Sequence, residues 1–214
     1  MNNTVKLPSS VGKREQQKEA RRNAIIDAAL EEFIAQGFTA TKLDDVAERA
    51  GIGKGTIYLY FDSKESLFGE VVRKNLLPQG DMAHEYQACL EKHEGTAAEI
   101  LADHFRHIYK AMQNEKVKPL LMMILGETSR FPKLTRFYFD EMINPSQQLI
   151  RGIIRKGIDN GEFRASAADV FTQLLFAPAM NGVLWNCQFG ELAPIDIDIY
   201  AEDHIDFMLR ALKA

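Results

Sequence analysis

The chain has 214 residues, 46% of them hydrophobic and 26% charged, with a formal net charge of −4; that is enough apolar side chain for one large core or for a small module joined to a larger one. Its longest apolar run, Leu120 to Leu125 after Pro119, falls far short of the roughly 20 residues that cross a membrane, and the first 24 residues are too polar for a secretory leader, so a cytoplasmic protein with no membrane partner is expected. Cys89 and Cys187 stand far apart and form no CxxC pair, which argues against a zinc knuckle or a disulfide framework, and no cofactor is expected.

Charge is uneven along the chain. Residues 1–26 hold Lys6, Lys13, Arg14, Lys18, Arg21 and Arg22 against Glu15 and Glu19, a net +4, while the remainder sums to −8. A basic end on an acidic body suits contact with phosphate at that end. Residues 1–12 lack apolar periodicity and read as a disordered basic arm. Helical pattern begins near Arg14, with Ile26, Ala29, Leu30 and Phe33 forming a buried stripe; Gly37 supplies a left-handed end after Gln36, and Phe38 folds back onto the last turn. Thr41 is placed to cap a second helix, with Asp44 completing a capping box, and Leu43, Val46, Ala47 and Ala50 face inward. Gly51 permits a sharp turn, Ile52 plugs the core, and a short third helix starts near Gly53 or Lys54. Ser63 caps a fourth helix from Lys64 to about Pro78, with Leu67, Phe68, Val71 and Val72 inward.

Beyond that point only helical periodicity is evident, over about 81–93, 96–113, 117–129, 132–143, 145–160, 167–188 and 196–213. Gly95, Pro119, Pro132, Pro145, Gly161, Gly190 and Pro194 punctuate most joints. The alternation Ile195-Asp-Ile-Asp-Ile199 fits a short extended edge, a loop or a helix start. The expected fold is all-α: an N-terminal three-helix module over 13–78, then a helical domain over 79–214.

The run from Thr41 to Phe61 has the layout of a helix, a glycine turn and a second short helix, which proteins use to push one helix into the major groove of DNA. At about 100° per residue, Lys54, Gly55, Tyr58 and Leu59 share one arc of the third helix while Ile57 and Phe61 lie opposite. Lys54 can reach a guanine edge or a phosphate, Gly55 allows close approach, Leu59 can meet a thymine methyl, and Tyr58 can bond a phosphate oxygen. Thr41 and Lys42 at the start of helix 2, and Lys64 at the start of helix 4, are expected to hold phosphate. Asp44 cannot, so helix 2 is expected to contribute little direct readout. Lys13, Arg14, Lys18, Arg21 and Arg22 are candidates for further contacts to phosphate or the minor groove.

The stretch Gly51-Ile-Gly-Lys-Gly-Thr-Ile-Tyr-Leu-Tyr-Phe-Asp-Ser-Lys-Glu-Ser-Leu-Phe68 resembles the helix-turn-helix signature of the TetR family of regulators, over about Arg22 to Val72. The resemblance implies that Lys54, Gly55 and Leu59 face bases, that Thr41, Tyr58, Tyr60 and Lys64 mostly face the DNA backbone, and that Lys64 also helps start helix 4. Thr56, within the same signature, joins the expected DNA-binding set. Residues Glu127 to Phe139 and Gly157 to Phe163 resemble the subgroup with an AefR-like C-terminal domain. The family pattern implies a ligand-binding and dimerisation domain over 79–214, a twofold dimer through the last two long helices near 167–188 and 196–213, and an inverted-repeat operator.

Large adaptable side chains in this half either line an apolar cavity for a small effector or fill a helical core. The ligand-binding candidates are Phe105, Tyr109, Met122, Tyr138, Phe176, Met180, Asn181 and Trp185, with Gln173 and Asn181 as polar groups that orient a ligand. The 167–188 helix is apolar on nearly all sides, and Ile205, Met208, Leu209 and Leu212 stripe the last helix, which favours burial against a partner subunit. Gly182 and Ala179 would permit close helix approach. His104 and His107, at i and i+3 near Glu99 and Asp103, give an alternative reading as metal ligands of a helical-bundle oxidoreductase. The leading expectation is a non-enzymatic repressor released from DNA by a small, largely apolar molecule.

Overall fold

A computed structural model describes residues 10–76, 95–127 and 130–214. The expected helix over 81–93 lies outside the described residues. These fall into two compact units divided between Arg73 and Lys74, and among them there is no strand, only an isolated antiparallel bridge between Phe163 and Lys213.

The first unit contains α1 (Ser10–Ala40), α2 (Leu43–Arg49), α3 (Lys54–Ile57) and most of α4 (Lys64–Leu76). Helix α1 starts ahead of the expected Arg14 and breaks at Gly37, whose φ of 78° and ψ of 163° belong to a region open essentially to glycine alone. The break turns Phe38 back into the core, where its ring lies 5.6 Å from Phe33 and 5.0 Å from Phe68. Phe33 meets Phe68 edge-on at 5.1 Å, so three aromatic rings join α1 to α4. Arg49 ties α2 to α1 by donating to Glu31 and to the buried Glu32. Ser63 accepts the Ser66 amide, as a helix cap should.

The expected cap at Thr41 is overturned. The N-cap position of α2 is Lys42, and it makes no side-chain capping bond. Thr41 is 1% exposed, and its hydroxyl donates to the Gly37 carbonyl at 2.8 Å, with the Glu32 carbonyl at 3.2 Å. The Thr41 amide also bonds the Gly37 carbonyl, at 3.3 Å, so backbone and side chain together fasten Thr41 to the end of α1.

The second unit contains α5 (Ala97–Met112), α6 (Val117–Glu127), α7 (Pro132–Tyr138), α8 (Asn144–Asp159), α9 (Thr172–Phe189) and α10 (Ile197–Leu212). A capping box starts α5: Glu99 N–H donates to the Thr96 hydroxyl at 3.1 Å, and Thr96 N–H to the Glu99 carboxylate at 2.8 Å. The core is built from Ile100, Leu101 and Phe105 of α5, Ile150 and Ile153 of α8, and Ile205, Met208 and Leu212 of α10. The α10 stripe therefore serves its own chain's core.

Pro145 does not separate two helices as expected. A π-helical turn, Phe139–Ile143, carries α7 into α8 without a break. A proline lacks the N–H that an α-helix would need here and crowds the preceding turn, and the wider turn accommodates both. The 167–188 helix starts later than expected, at Thr172, after a 3₁₀ segment at Ala165–Asp169. Asp196 caps α10 by accepting the Asp198 and Ile199 amides, so the Ile195–Ile199 alternation is a helix start. The small residues of α9 serve an intrachain contact: a Cβ on Gly182 would meet Tyr200 and Ile197 of α10 at 3.0 and 3.1 Å.

After α8, Gly161 takes φ 74°, Glu162 N–H donates to the Gly157 carbonyl (2.8 Å) and Gly161 N–H to the Ile158 carbonyl (3.0 Å), which is a Schellman ending. It folds the buried Phe163 ring onto Gly157, where a Cβ would stand 2.3 Å from the ring. Gly157→Ala is therefore expected to destabilise the protein by about 1–3 kcal/mol, the usual cost of overpacking, read as a lower urea or thermal midpoint. An unchanged midpoint would mean that Phe163 moves aside at no cost.

Candidate nucleic-acid interface and ligand cavity

In the first unit, Ala50 ends α2, Gly51 turns with φ 66°, and Ile52 N–H donates to the Ala47 carbonyl at 3.0 Å. Helix α3 follows from Gly53, and its end tightens as Leu59 N–H bonds the Thr56 carbonyl and Tyr60 N–H the Ile57 carbonyl. Ile57 and Phe61 are buried, whereas Tyr58 is 55% and Leu59 80% exposed. The Lys54 side chain is 73% exposed, with its ammonium 2.7 Å from Asp44 Oδ2. That hydrogen bond, with the attraction of the Asp44 charge, raises the Lys54 pKa and keeps it cationic. Lys42 and Gly55 are exposed, and Thr56 and Tyr60 half-buried. A Cβ built on Gly55 meets nothing within 4 Å, so its neighbours in the chain do not require glycine there.

Two of the residues expected to hold phosphate are engaged inside the unit. Besides Thr41, Lys64 donates to the carbonyls of Phe38 (2.7 Å), Thr39 (3.0 Å) and Thr41 (3.0 Å) and lies 4.7 Å from the centre of the Phe38 ring. An ammonium has three N–H donors, and these three carbonyls take them. Arg22, expected as a supplementary contact, pairs with Glu70 and covers the Phe61 ring at 5.6 Å. Arg14, Lys18 and Arg21 remain exposed along α1.

The second unit encloses a cavity of about 830 Å³ between α5, α6, α8, α9 and the π-helical turn. Of the ligand-binding candidates, Tyr138, Phe176, Met180 and Asn181 line it, together with Gln173. The other four candidates do not. Phe105 is wholly buried against the His204 ring at 5.3 Å, and the Tyr109 hydroxyl bonds His204 Nδ1 at 2.9 Å, both on the α10 side of α5. Trp185 donates to the Ala193 carbonyl at 2.7 Å and stacks near Phe189, tying down the α9–α10 loop. Met122 is half-buried, while its neighbours Leu121 and Leu125 reach the cavity.

The sequence reading missed Thr172, and it gave His104 and His107 a different role. On α5, residues 100, 103, 104, 107, 108 and 111 fall at helical spacing and form the cavity wall. His107 Nδ1 lies 2.7 Å from the Asp103 carbonyl, which fixes it as the protonated nitrogen. Burial, followed by the nearby His107, pushes the His104 pKa down to about 4, and burial also lowers that of His204. Unfolded histidine titrates near 6.5, so below that pH the unfolded chain takes up protons that the folded one refuses. Stability is thus expected to be full above pH 6.5 and to fall as pH drops towards about 4. The thermal midpoint at pH 5 should lie below that at pH 7.5, by less in His104→Asn; an equal drop in that variant would exonerate His104.

Among the described residues no group of three histidine, cysteine or carboxylate side chains is disposed to hold a metal. Residues 25–71 match the model of the tetR family of bacterial regulatory proteins, and residues 99–214 match that of the AefR-like transcriptional repressor C-terminal domain. The HTH-type transcriptional regulator AcrR of Shigella flexneri is 32% identical over 208 residues, 92% of either chain. The chain belongs to the TetR family. This TetR-family protein is a DNA-binding transcriptional regulator and not an enzyme, so the oxidoreductase reading of His104 and His107 falls. The HTH-type transcriptional repressor KstR2 of Rhodococcus jostii is 28% identical over 92% of this regulator and 93% of its own length. The fold is also that of SmeT, solved as a triclosan complex, with a TM-score of 0.73 at 20% identity over 91% of this chain and 92% of that one. No helix among the described residues is long and apolar enough to cross a membrane.

Proposed function

We propose that this regulator is a cytoplasmic, homodimeric repressor that reads an inverted-repeat operator with α3 and leaves it when a small, largely apolar effector fills the cavity of the second unit. The observation that carries the reading is the division of α3: Ile57 anchors it while Lys54, Tyr58 and Leu59 stand in solvent. Lys54, Gly55 and Leu59 meet base edges; Lys42, Thr56, Tyr58, Tyr60 and the backbone amides at the starts of α2 and α4 meet phosphates and fix register. Thr41 and Lys64 act indirectly, by seating α2 and α4.

Exposed apolar side chains on α9 and α10, among them Leu174, Ile199 and Phe207, support a dimer through those helices. A twofold dimer presents two copies of α3 to half-sites about one helical turn apart. An effector that binds better when the two copies are wrongly spaced then shifts the population off DNA. The AefR-like repressor match, KstR2 and the SmeT–triclosan complex make repression and an apolar effector the natural assignment.

The test is a gel shift on DNA flanking the protein's own gene. A retarded band that weakens steeply with salt, and that a two-fold symmetric competitor removes, is expected. Binding indifferent to sequence would refute operator recognition.

A further inference from the structure

Asp44 lacks the structural role that the sequence suggested for it. The N-cap of α2 makes no side-chain bond, so there is no capping box for Asp44 to complete. Its carboxylate turns instead across the helix-turn-helix: Oδ2 accepts from Lys54 Nζ at 2.7 Å, while Oδ1 has no hydrogen-bond partner among the described residues. Both side chains of this pair are largely open to water. Such a pair contributes little to stability, and Arg49 already fastens α2 to α1 through Glu31 and Glu32.

The pair bears on recognition, given the role proposed above for α3, on which this inference rests. Lys54 opens α3, and the first residues of a recognition helix are those that meet base edges. An ammonium carried into the groove brings this carboxylate with it, and cancels a charge that the phosphates would otherwise repel. Guanine O6 and N7 and thymine O4 are acceptors and repel a carboxylate; the amino groups of cytosine and adenine attract one. Across a guanine–cytosine pair, O6 and the cytosine amino nitrogen share a hydrogen bond of about 2.9 Å. The base pair thus shows an acceptor beside a donor at close to the spacing at which Lys54 and Asp44 show a donor beside an acceptor. A thymine in place of the guanine offers Lys54 only O4, beside a methyl group, where guanine offers O6 and N7. Reversing the pair sets the ammonium against an amino group and the carboxylate against two acceptors.

We infer that Asp44 is a specificity-determining residue of the DNA interface: it enters the major groove paired with Lys54, accepts from the amino group of the cytosine opposite the guanine that Lys54 reads, and so fixes which strand carries that guanine. Helix α2 then takes part in direct readout, against the expectation from sequence, because its carboxylate meets a base and not a phosphate. Lysine alone would not set the strand, since its flexible stem follows a guanine across the pair.

The test offers the whole protein a pool of randomised duplexes, then measures affinities for single-pair variants of the selected site. The position concerned is the one at which Lys54→Ala loses a preference for guanine. Exchanging guanine and cytosine between the strands there should cost wild type more than tenfold. Asp44→Ala should lower that cost below threefold, bind unrelated duplex no more weakly than wild type, and keep the thermal midpoint. Methylating the amino group of that cytosine should weaken wild type about tenfold and Asp44→Ala hardly at all. An unchanged strand preference in Asp44→Ala, or an equal cost of methylation in both proteins, overturns the assignment; uniformly tighter binding with preferences intact would make Asp44 a repelling charge and nothing more. Lys54→Ala separates this inference from the one beneath it. If it erases a guanine preference that Asp44→Ala leaves intact in both strands, α3 reads DNA without Asp44; if it erases none, or no site is selected, the role of α3 itself falls and this inference with it.

Discussion

Lys54→Ala combined with Tyr58→Ala is expected to weaken operator binding at least a hundredfold in a gel shift, with helicity, thermal midpoint and dimerisation unchanged. Both side chains are mostly in solvent, and Lys54 touches its own chain through Asp44 alone among the bonds described for it. Their loss therefore costs the fold little. A lysine on a guanine edge is worth about 1–3 kcal/mol of discrimination. The Tyr58 hydroxyl and the Lys54 charge both lie where phosphate runs if α3 enters the major groove. The salt dependence of binding should flatten in step, because fewer counterions are released. Lys64→Ala is the contrasting control: it should lose binding together with thermal stability, since Lys64 holds three carbonyls at the end of α1. Normal operator retention by the double variant would show that α3 is not the reading helix.

The first unit is legible in the sequence because its determinants are local. Gly51 needs a positive φ, Ser63 needs only the amide three residues on, and the alternation of Ile57 and Phe61 with Tyr58 and Leu59 is a matter of helical spacing. Thr41 and Lys64 depart from expectation for a reason that spacing cannot show. Both stand where helix starts usually face outwards, yet the Gly37 kink brings carbonyls of the end of α1 within their reach, and those carbonyls lie 4 to 26 residues away in sequence. Arg22 is the same kind of case, its partner Glu70 being 48 residues on.

In the second unit the helices themselves are legible, but which face looks where is not. Phe105 and Tyr109 are apolar and large, and by residue type they suit a cavity wall as well as His104 or Ile108 does. The placement of α10 decides: His204 draws Phe105 and Tyr109 to its own side of α5, and the polar stripe through Asp103, His104 and His107 is left facing the cavity. Two histidines on an amphipathic helix therefore suggest metal when they are wall residues. Pro145 misleads in the opposite way, because a π-helical turn admits a proline that an α-helical turn rejects.

Phe207→Glu is expected to convert the proposed dimer into a monomer in light scattering at micromolar concentration, with helicity retained and operator binding lost. Phe207 is 74% exposed on α10, while the neighbouring Met208 and Leu212 are buried in the core of the same chain. The helix thus has its inward face satisfied and still presents a phenyl ring to water. Leu174 on α9 and Ile199 on α10 are exposed in the same way. Covering a phenylalanine side chain is worth about 1.5–3 kcal/mol, and twofold symmetry counts it twice, so the substitution weakens association by about 3–6 kcal/mol before the cost of burying two carboxylates is added. Because the intrachain core is untouched, the variant's thermal midpoint at low protein concentration should match the wild type's under the same conditions. A monomer has one copy of α3 and forfeits the simultaneous engagement of two half-sites, so it should hold a half-site no better than it holds unrelated DNA. If Phe207→Glu stays dimeric, the partner surface lies elsewhere; if it is monomeric yet binds the full operator with undiminished affinity, the twofold mode of reading is wrong.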